Sequence, residues 1–260
     1  MVEARDKGGA TLTTSVADTV SSMVRLDAVI IGGSAGSMPP LLALLSALPA
    51  DFPVPIFVVL HLHRSDGGAM AEHLNSRLAL PVREATDKCP IVAPGVYTAP
   101  ADYHLLIERN PRKAASSFGQ TPGEASAPLL ANQSSAEGKM QSYSFALSID
   151  PRVNWSRPSI DVAFESAARV YGEHLLAILL SGANEDGAQG MRWVRALGGV
   201  AIVQPPESAE SPVMPRSAID IAGVTLLRHA HELSEILLRL SPSTPHLEVA
   251  LTSGNDDAQA

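Results

Sequence analysis

An α/β fold is the expectation for this chain: a doubly wound, mostly parallel sheet flanked by helices on both faces, with a small antiparallel hairpin addition. Three observations predict it. Short runs such as 26–31, 55–62 and 175–181 are apolar at nearly every position, which marks strands buried on both faces. These runs alternate with segments of helical spacing. Two of them end in glycine-rich turns, at 32–37 and 181–190, where a doubly wound fold turns from strand to helix.

Taken in order, residues 26–31 predict the first strand and 39–48 a helix. Pro39 and Pro40 fit that helix's first turn, where a missing N–H is tolerated. Residues 55–62, rich in Ile, Phe and Val, predict the second strand, and Met70, Leu74 and Leu78 give 66–78 a helical face. A turn-rich middle carries short strands at 82–85, 96–99 and 104–108, where we expect hairpins, and past the polar stretch 144–149 looks extended. Residues 159–171 place Ile160, Ala163, Phe164, Ala167 and Val170 on one helical face. A strand at 175–181, a helix at 187–197, a strand at 200–204 and a helix at 229–240 complete the pattern. Polar stretches predict a flexible arm at 1–24, a long surface loop at 111–142 and a flexible tail at 242–260, so one domain spans 25–241.

Composition narrows the function classes. The chain has 260 residues, 45% hydrophobic and 18% charged, enough for a sizeable core. Its net charge of −8 argues against a nucleic-acid surface as the main function. A single cysteine, Cys89, allows neither an internal disulfide nor a cysteine-based zinc site, and fits a reducing compartment. The longest apolar stretch, 40–50, is interrupted by Ser46 and too short to span a bilayer, and the N-terminus lacks the apolar centre of a signal peptide. A cytoplasmic protein without membrane insertion is the expectation.

The most informative segment is Gly32-Gly33-Ser34-Ala35-Gly36, a G-x-S-x-G pattern between a buried strand and a helix. A serine at the tip of such a turn projects its hydroxyl above the carboxyl edge of the sheet. Small residues two before and two after let strand and helix pass closely, and free N–H groups at the helix start can hold an oxyanion. The alternative is a turn that binds phosphate or only packs. Neither the dinucleotide fingerprint nor the P-loop fits, because Ser34 and Ser37 stand where glycines are needed and no Gly-Lys-Ser/Thr follows. His61 and His63 end the second strand on the same sheet edge, and their spacing of two leaves the choice of base open. For the third group, Asp186 and Glu185 follow the strand at 175–181, with Asp161 and Asp220 as competitors elsewhere. Asp186 also suits an N-cap before Gly187.

These residues resemble the catalytic domain of the chemotaxis protein-glutamate methylesterases, the CheB family, over roughly residues 26–240. The resemblance rests on VIIGGSAGS (29–37), LHLH (60–63), VYTAPADYHL (96–105), SRPSIDVAFESAA (156–168), LLSGANEDGAQGM (179–191) and VMPRSAIDIAGV (213–224), in that order. It implies a serine hydrolase that removes methyl groups from glutamate methyl esters on the cytoplasmic helices of chemoreceptors, releases methanol, and also deamidates receptor glutamines. No metal or organic cofactor is implied; the partners implied are methyl-accepting chemoreceptors and other chemosensory proteins. By motif position the triad is Ser34, His61 and Asp186, with backbone oxyanion donors at Ala35 and Ala183 and Arg216 at the substrate rim. The chain departs from the family pattern at Ala35, which lacks the usual hydroxyl, at Leu60 in place of glutamine, and at 183–186. The residues before the first strand are too few for a receiver domain, so a stand-alone catalytic domain is expected. The competing readings are a non-catalytic scaffold in a chemosensory complex and an esterase acting on a small molecule.

Overall fold

The computed structural model describes residues 25–110 and 142–239. The expected arm, the expected tail and all of the expected loop but Ser142 lie outside the described residues.

The strands are β1 (Ala28–Gly33), β2 (Ile56–Leu60), β3 (Val82–Glu84), β4 (Val96–Thr98), β5 (His104–Arg109), β6 (Tyr143–Ser148), β7 (Leu175–Leu179) and β8 (Val200–Val203). The helices are α1 (Met38–Leu45), α2 (Ala69–Asn75), α3 (Ile160–Tyr171), α4 (Ala188–Ala196), α5 (Val213–Ala222) and α6 (Ala230–Arg239). Six strands form one sheet in the order β3-β4-β2-β1-β7-β8, and every neighbouring pair is parallel. β5 and β6 form a separate antiparallel pair.

The continuous apolar runs are explained by cover on both faces. Val29 and Ile31 of β1 join Leu41 and Leu44 of α1, Leu74 of α2 and Leu233 of α6. Ala28 and Ile30 point the other way, into a layer built by α3, α4, α5 and the hairpin. Aromatic rings tie that hairpin down: Phe145 of β6 meets Phe57 of β2 edge-on at 5.5 Å and Tyr97 of β4 at 5.0 Å.

One expectation is corrected and one helix is added. The short strands at 82–84 and 96–98 do not form hairpins; they pair in parallel and extend the main sheet beyond β2. The sequence reading also passes over α5. Its segment is rich in prolines, following Pro205, Pro206 and Pro212 and containing Pro215. Pro215 stands in the helix's first turn, where its missing N–H interrupts no intrahelical bond.

This topology positions the site. From β1 the chain steps through α1 to β2 on one side, while β7 pairs on the other, so the strand order reverses between β1 and β7. The segments leaving their carboxyl ends diverge and open a crevice there. Ser34 follows β1, and the turn at 181–187 follows β7. Among the described residues no helix is long and apolar enough to cross a membrane.

Candidate active site

Ser34 leaves the sheet at the end of β1, held by its own N–H on the Ser181 carbonyl at 2.9 Å. Its carbonyl accepts the N–H of Ser37 at 3.0 Å and the Ser37 hydroxyl at 2.6 Å, which tightens the turn into α1. The two glycines of the motif act in different ways. A Cβ on Gly32 would stand 2.4 Å from Cγ2 of Ile160, so the small residue admits α3, packed on the sheet, rather than the helix that follows in sequence. Gly36 has φ of +74°, a left-handed conformation that side chains rarely adopt, and a Cβ there would meet Glu210 and Ser181.

His61 lies one strand over. β1 and β2 are in register with Gly33 opposite Leu60, and the His61 N–H reaches the Gly33 carbonyl at 3.4 Å, so positions 34 and 61 are neighbours. β2 ends at Leu60, so the alternation of two does not govern the histidines beyond it. His61 is partly buried and its Nε2 lies 2.8 Å from Asp186 Oδ2. His63 is exposed, with its Nδ1 2.7 Å from the Ser65 hydroxyl. An ionised carboxylate only accepts, so Nε2 carries the proton toward Asp186 and Nδ1 keeps the lone pair. The Ser34 hydroxyl makes no hydrogen bond among the described residues.

Asp186 is fully buried. Its Oδ2 accepts from His61 and from the Ile160 N–H at 2.7 Å. Its Oδ1 accepts from the Ser159 hydroxyl at 2.8 Å, Asn154 Nδ2 at 3.0 Å and the Asp161 N–H at 3.1 Å. Burial alone would raise this carboxyl, but the bonds from His61, Asn154 and the backbone of Ile160 and Asp161 outweigh it and hold it below the usual carboxylate range. The expected N-cap role is corrected in one respect: Asp186 satisfies the open N–H groups of α3, not those of the helix it precedes. Asp161, in the first turn of α3, returns the arrangement by accepting the N–H groups of Gly187 at 2.9 Å and Gly190 at 2.7 Å.

Asp161 is therefore no distant competitor. Its Oδ2 accepts Asn154 Nδ2 at 2.7 Å, so one amide group stands between two buried carboxylates. Burial, with the Asp186 charge adding to it, pushes the Asp161 carboxyl up to about 6 against those hydrogen bonds. The sequence reading missed Asn154 and Ser159. Ser159 has a local signal, a serine opening an amphipathic segment; Asn154 has none, because its partners lie 7 and 32 residues away.

The other candidates stand around this centre. The backbone N–H groups of Ala35 and Ala183 find no acceptor among the described residues, and each belongs to one of the two loops bounding the crevice. The second loop is held by Gly182 N–H on the Ser211 carbonyl at 3.0 Å and Met214 N–H on the Gly182 carbonyl at 2.9 Å. Arg216 follows on α5 and is exposed, as are Glu185 and Asp220. Among the described residues no group of three or more His, Cys, Asp or Glu gathers to hold a metal.

Residues 29–237 match the family model described as CheB methylesterase. A Leptospira interrogans relative, whose name carries the activities protein-glutamate methylesterase and protein-glutamine glutaminase provisionally, is 36% identical over 214 residues, 82% of this chain and 94% of its own length. The Archaeoglobus fulgidus protein-glutamate methylesterase/protein-glutamine glutaminase is 30% identical over 81% of this chain, which spans 52% of that relative. The crystal structure of the Thermotoga maritima CheB methylesterase catalytic domain is similar at TM-score 0.68 and 28% identity, covering 84% of this chain and all of that one.

Proposed function

The chain belongs to the CheB methylesterase family, and from that premise we propose that it is a serine hydrolase that demethylates glutamate methyl esters on the cytoplasmic helices of chemoreceptors. The observation that carries this reading is the His61–Asp186 hydrogen bond at the switch point, one strand position from Ser34.

In the proposed reaction His61 Nδ1 takes the Ser34 hydroxyl proton as Oγ attacks the ester carbonyl. The N–H groups of Ala35 and Ala183 hold the oxyanion, and Asp186 stabilises the imidazolium through Nε2. Collapse breaks the acyl–OCH3 bond, and the imidazolium returns its proton to the leaving methanol. Water then attacks the acyl-enzyme with His61 again as base, releasing glutamate and restoring Ser34. A receptor glutamine enters by the same route with ammonia leaving. No step requires a metal or organic cofactor. Arg216 lines the substrate rim. The domain spans 25–241 and works in the cytoplasm beside other chemosensory proteins.

The test is methanol release from methylated receptor. The wild-type chain should release it, and Ser34→Ala should lose about 10^4-fold or more. Equal release by Ser34→Ala would overturn the assignment. Failure of a fluorophosphonate probe to label Ser34, with receptor binding intact, would favour a scaffold instead.

A further inference from the structure

Trp155 is 92% exposed at the tip of a two-residue hairpin loop. Val153 and Ser156 exchange backbone hydrogen bonds across it, at 3.2 and 2.9 Å. Asn154 and Trp155 have φ of +49° and +63°, the left-handed pair of a type I′ turn. Asparagine suits the first position. The second is where glycine is preferred, and a bulky aromatic there is an outlier. The chain thus keeps an indole in solvent at a position where glycine would relieve backbone strain, and fold stability supplies no reason for it.

The turn is fastened to the site on one side, since Asn154 donates to Asp186. On the other side three guanidinium groups meet a single oxygen, Asp102 Oδ1: Arg157 at 3.0 Å, Arg64 at 3.4 Å and Arg152 at 3.4 Å. Arg157 also donates to the carbonyls of Ile149 and Asp150, which fixes the loop's base. Three guanidinium groups set against the carboxylates of Asp102 and Asp150 leave this cluster a net charge of +1. Of the nine exposed large apolar side chains among the described residues, four (Tyr103, Ile149, Val153 and Trp155) belong to these two tied segments. These exposed side chains therefore gather on segments that the arginine cluster ties together, and such gathering, unlike scattered exposure, is what an interaction surface offers.

Resting on the esterase reading above, we propose that Trp155, Ile149 and Val153, edged by Arg64 and Arg152, form the docking surface for the substrate helix, an acidic amphipathic helix that presents its methyl ester to Ser34. Charge complementarity selects this occupant. A glutamyl ester is neutral, but unmethylated neighbours are carboxylates, and a chain of net charge −8 repels an acidic partner unless it offers a local positive field. Arg64 stands three residues beyond His61, so the field borders the reacting centre. The indole supplies the rigid apolar anchor that such contacts favour.

The experiment compares kcat/KM on a methylated receptor helical fragment with kcat/KM on a small neutral ester, for the wild type, Trp155→Gly and the double variant Arg64→Glu/Arg152→Glu. The ratio of helical substrate to small ester should fall about 10-fold in Trp155→Gly, mostly through KM, while its thermal midpoint stays level or rises because Asn-Gly suits the turn. The charge-reversed variant should lose about as much at low salt and show a flatter salt dependence. Ratios within twofold of wild type in both variants would overturn the docking surface and leave the esterase reading standing. A wild-type chain that turns over neither substrate would overturn both. If Trp155→Gly does not fold, the arginine variant decides alone.

Discussion

Asn154 donates one amide group to Asp161 at 2.7 Å and to Asp186 at 3.0 Å, and among the described residues no other side chain bonds to both carboxylates. Asn154→Ala leaves two buried acceptors each one bond short, so it should lower stability by about 1–3 kcal/mol by thermal or denaturant unfolding. On the proposed mechanism it should also lower kcat more than it raises KM, since Asp186 there orients His61 and touches no substrate. Asp186→Asn should be harsher. An amide in place of the carboxylate lets Nε2 accept rather than donate, which moves the proton to Nδ1 and disables the base. A loss in kcat of about 10^4-fold, with the fold retained by circular dichroism, is the expected outcome. At this scale the motif residues were legible because strand-to-helix turns fix where they stand. The choice between His61 and His63 was not legible from spacing. It depends on the end of β2 at Leu60, after which one imidazole reaches Asp186 and the other turns to Ser65.

At the scale of elements, α3 and α4 exchange carboxylates. Asp186, just ahead of α4, accepts the first N–H groups of α3, while Asp161 in α3 accepts those of Gly187 and Gly190. The α3 side also presses on β1, the strand that leads to Ser34, because Ile160 occupies the space where a Cβ on Gly32 would be. Gly32→Ala should therefore cost about 1–3 kcal/mol by overpacking. In an Ile160→Ala background the same change should cost less by at least about 0.5 kcal/mol, and additive costs in this double-mutant cycle would refute the contact. Most elements were legible from apolar periodicity. The exceptions have physical causes: α5 carries a proline in its first turn, and β3 and β4 are too short for local pattern to reveal which strand they join.

For the molecule as a whole, the two buried aspartates pull stability in opposite directions with pH. The Asp186 carboxyl is lowered, so its stabilising contribution is present above the ordinary aspartate value and is lost as pH falls through its folded-state value. The Asp161 carboxyl is raised to about 6 from 3.8, so between those values the folded chain binds more proton than the unfolded one. Stability from this group then falls as pH rises through that window, by on the order of 3 kcal/mol in all. Denaturant unfolding of Asp161→Asn against wild type should show the difference shifting toward the variant between pH 3.5 and 7. A pH-independent difference would contradict the burial of a charged Asp161.

Unaided, the amino-acid order determined the alternation of buried strands and helices and placed a serine, two histidines and several carboxylates at strand ends, because burial periodicity and turn chemistry are local properties of a chain. Only the tertiary structure decided which of them meet. The reversal of strand order between β1 and β7 opens the crevice, the end of β2 selects His61, and the crossing of α3 with α4 brings Asn154 and Asp161 behind Asp186. These contacts join residues up to 125 positions apart. They depend on how layers pack, and nothing in the neighbouring sequence encodes them.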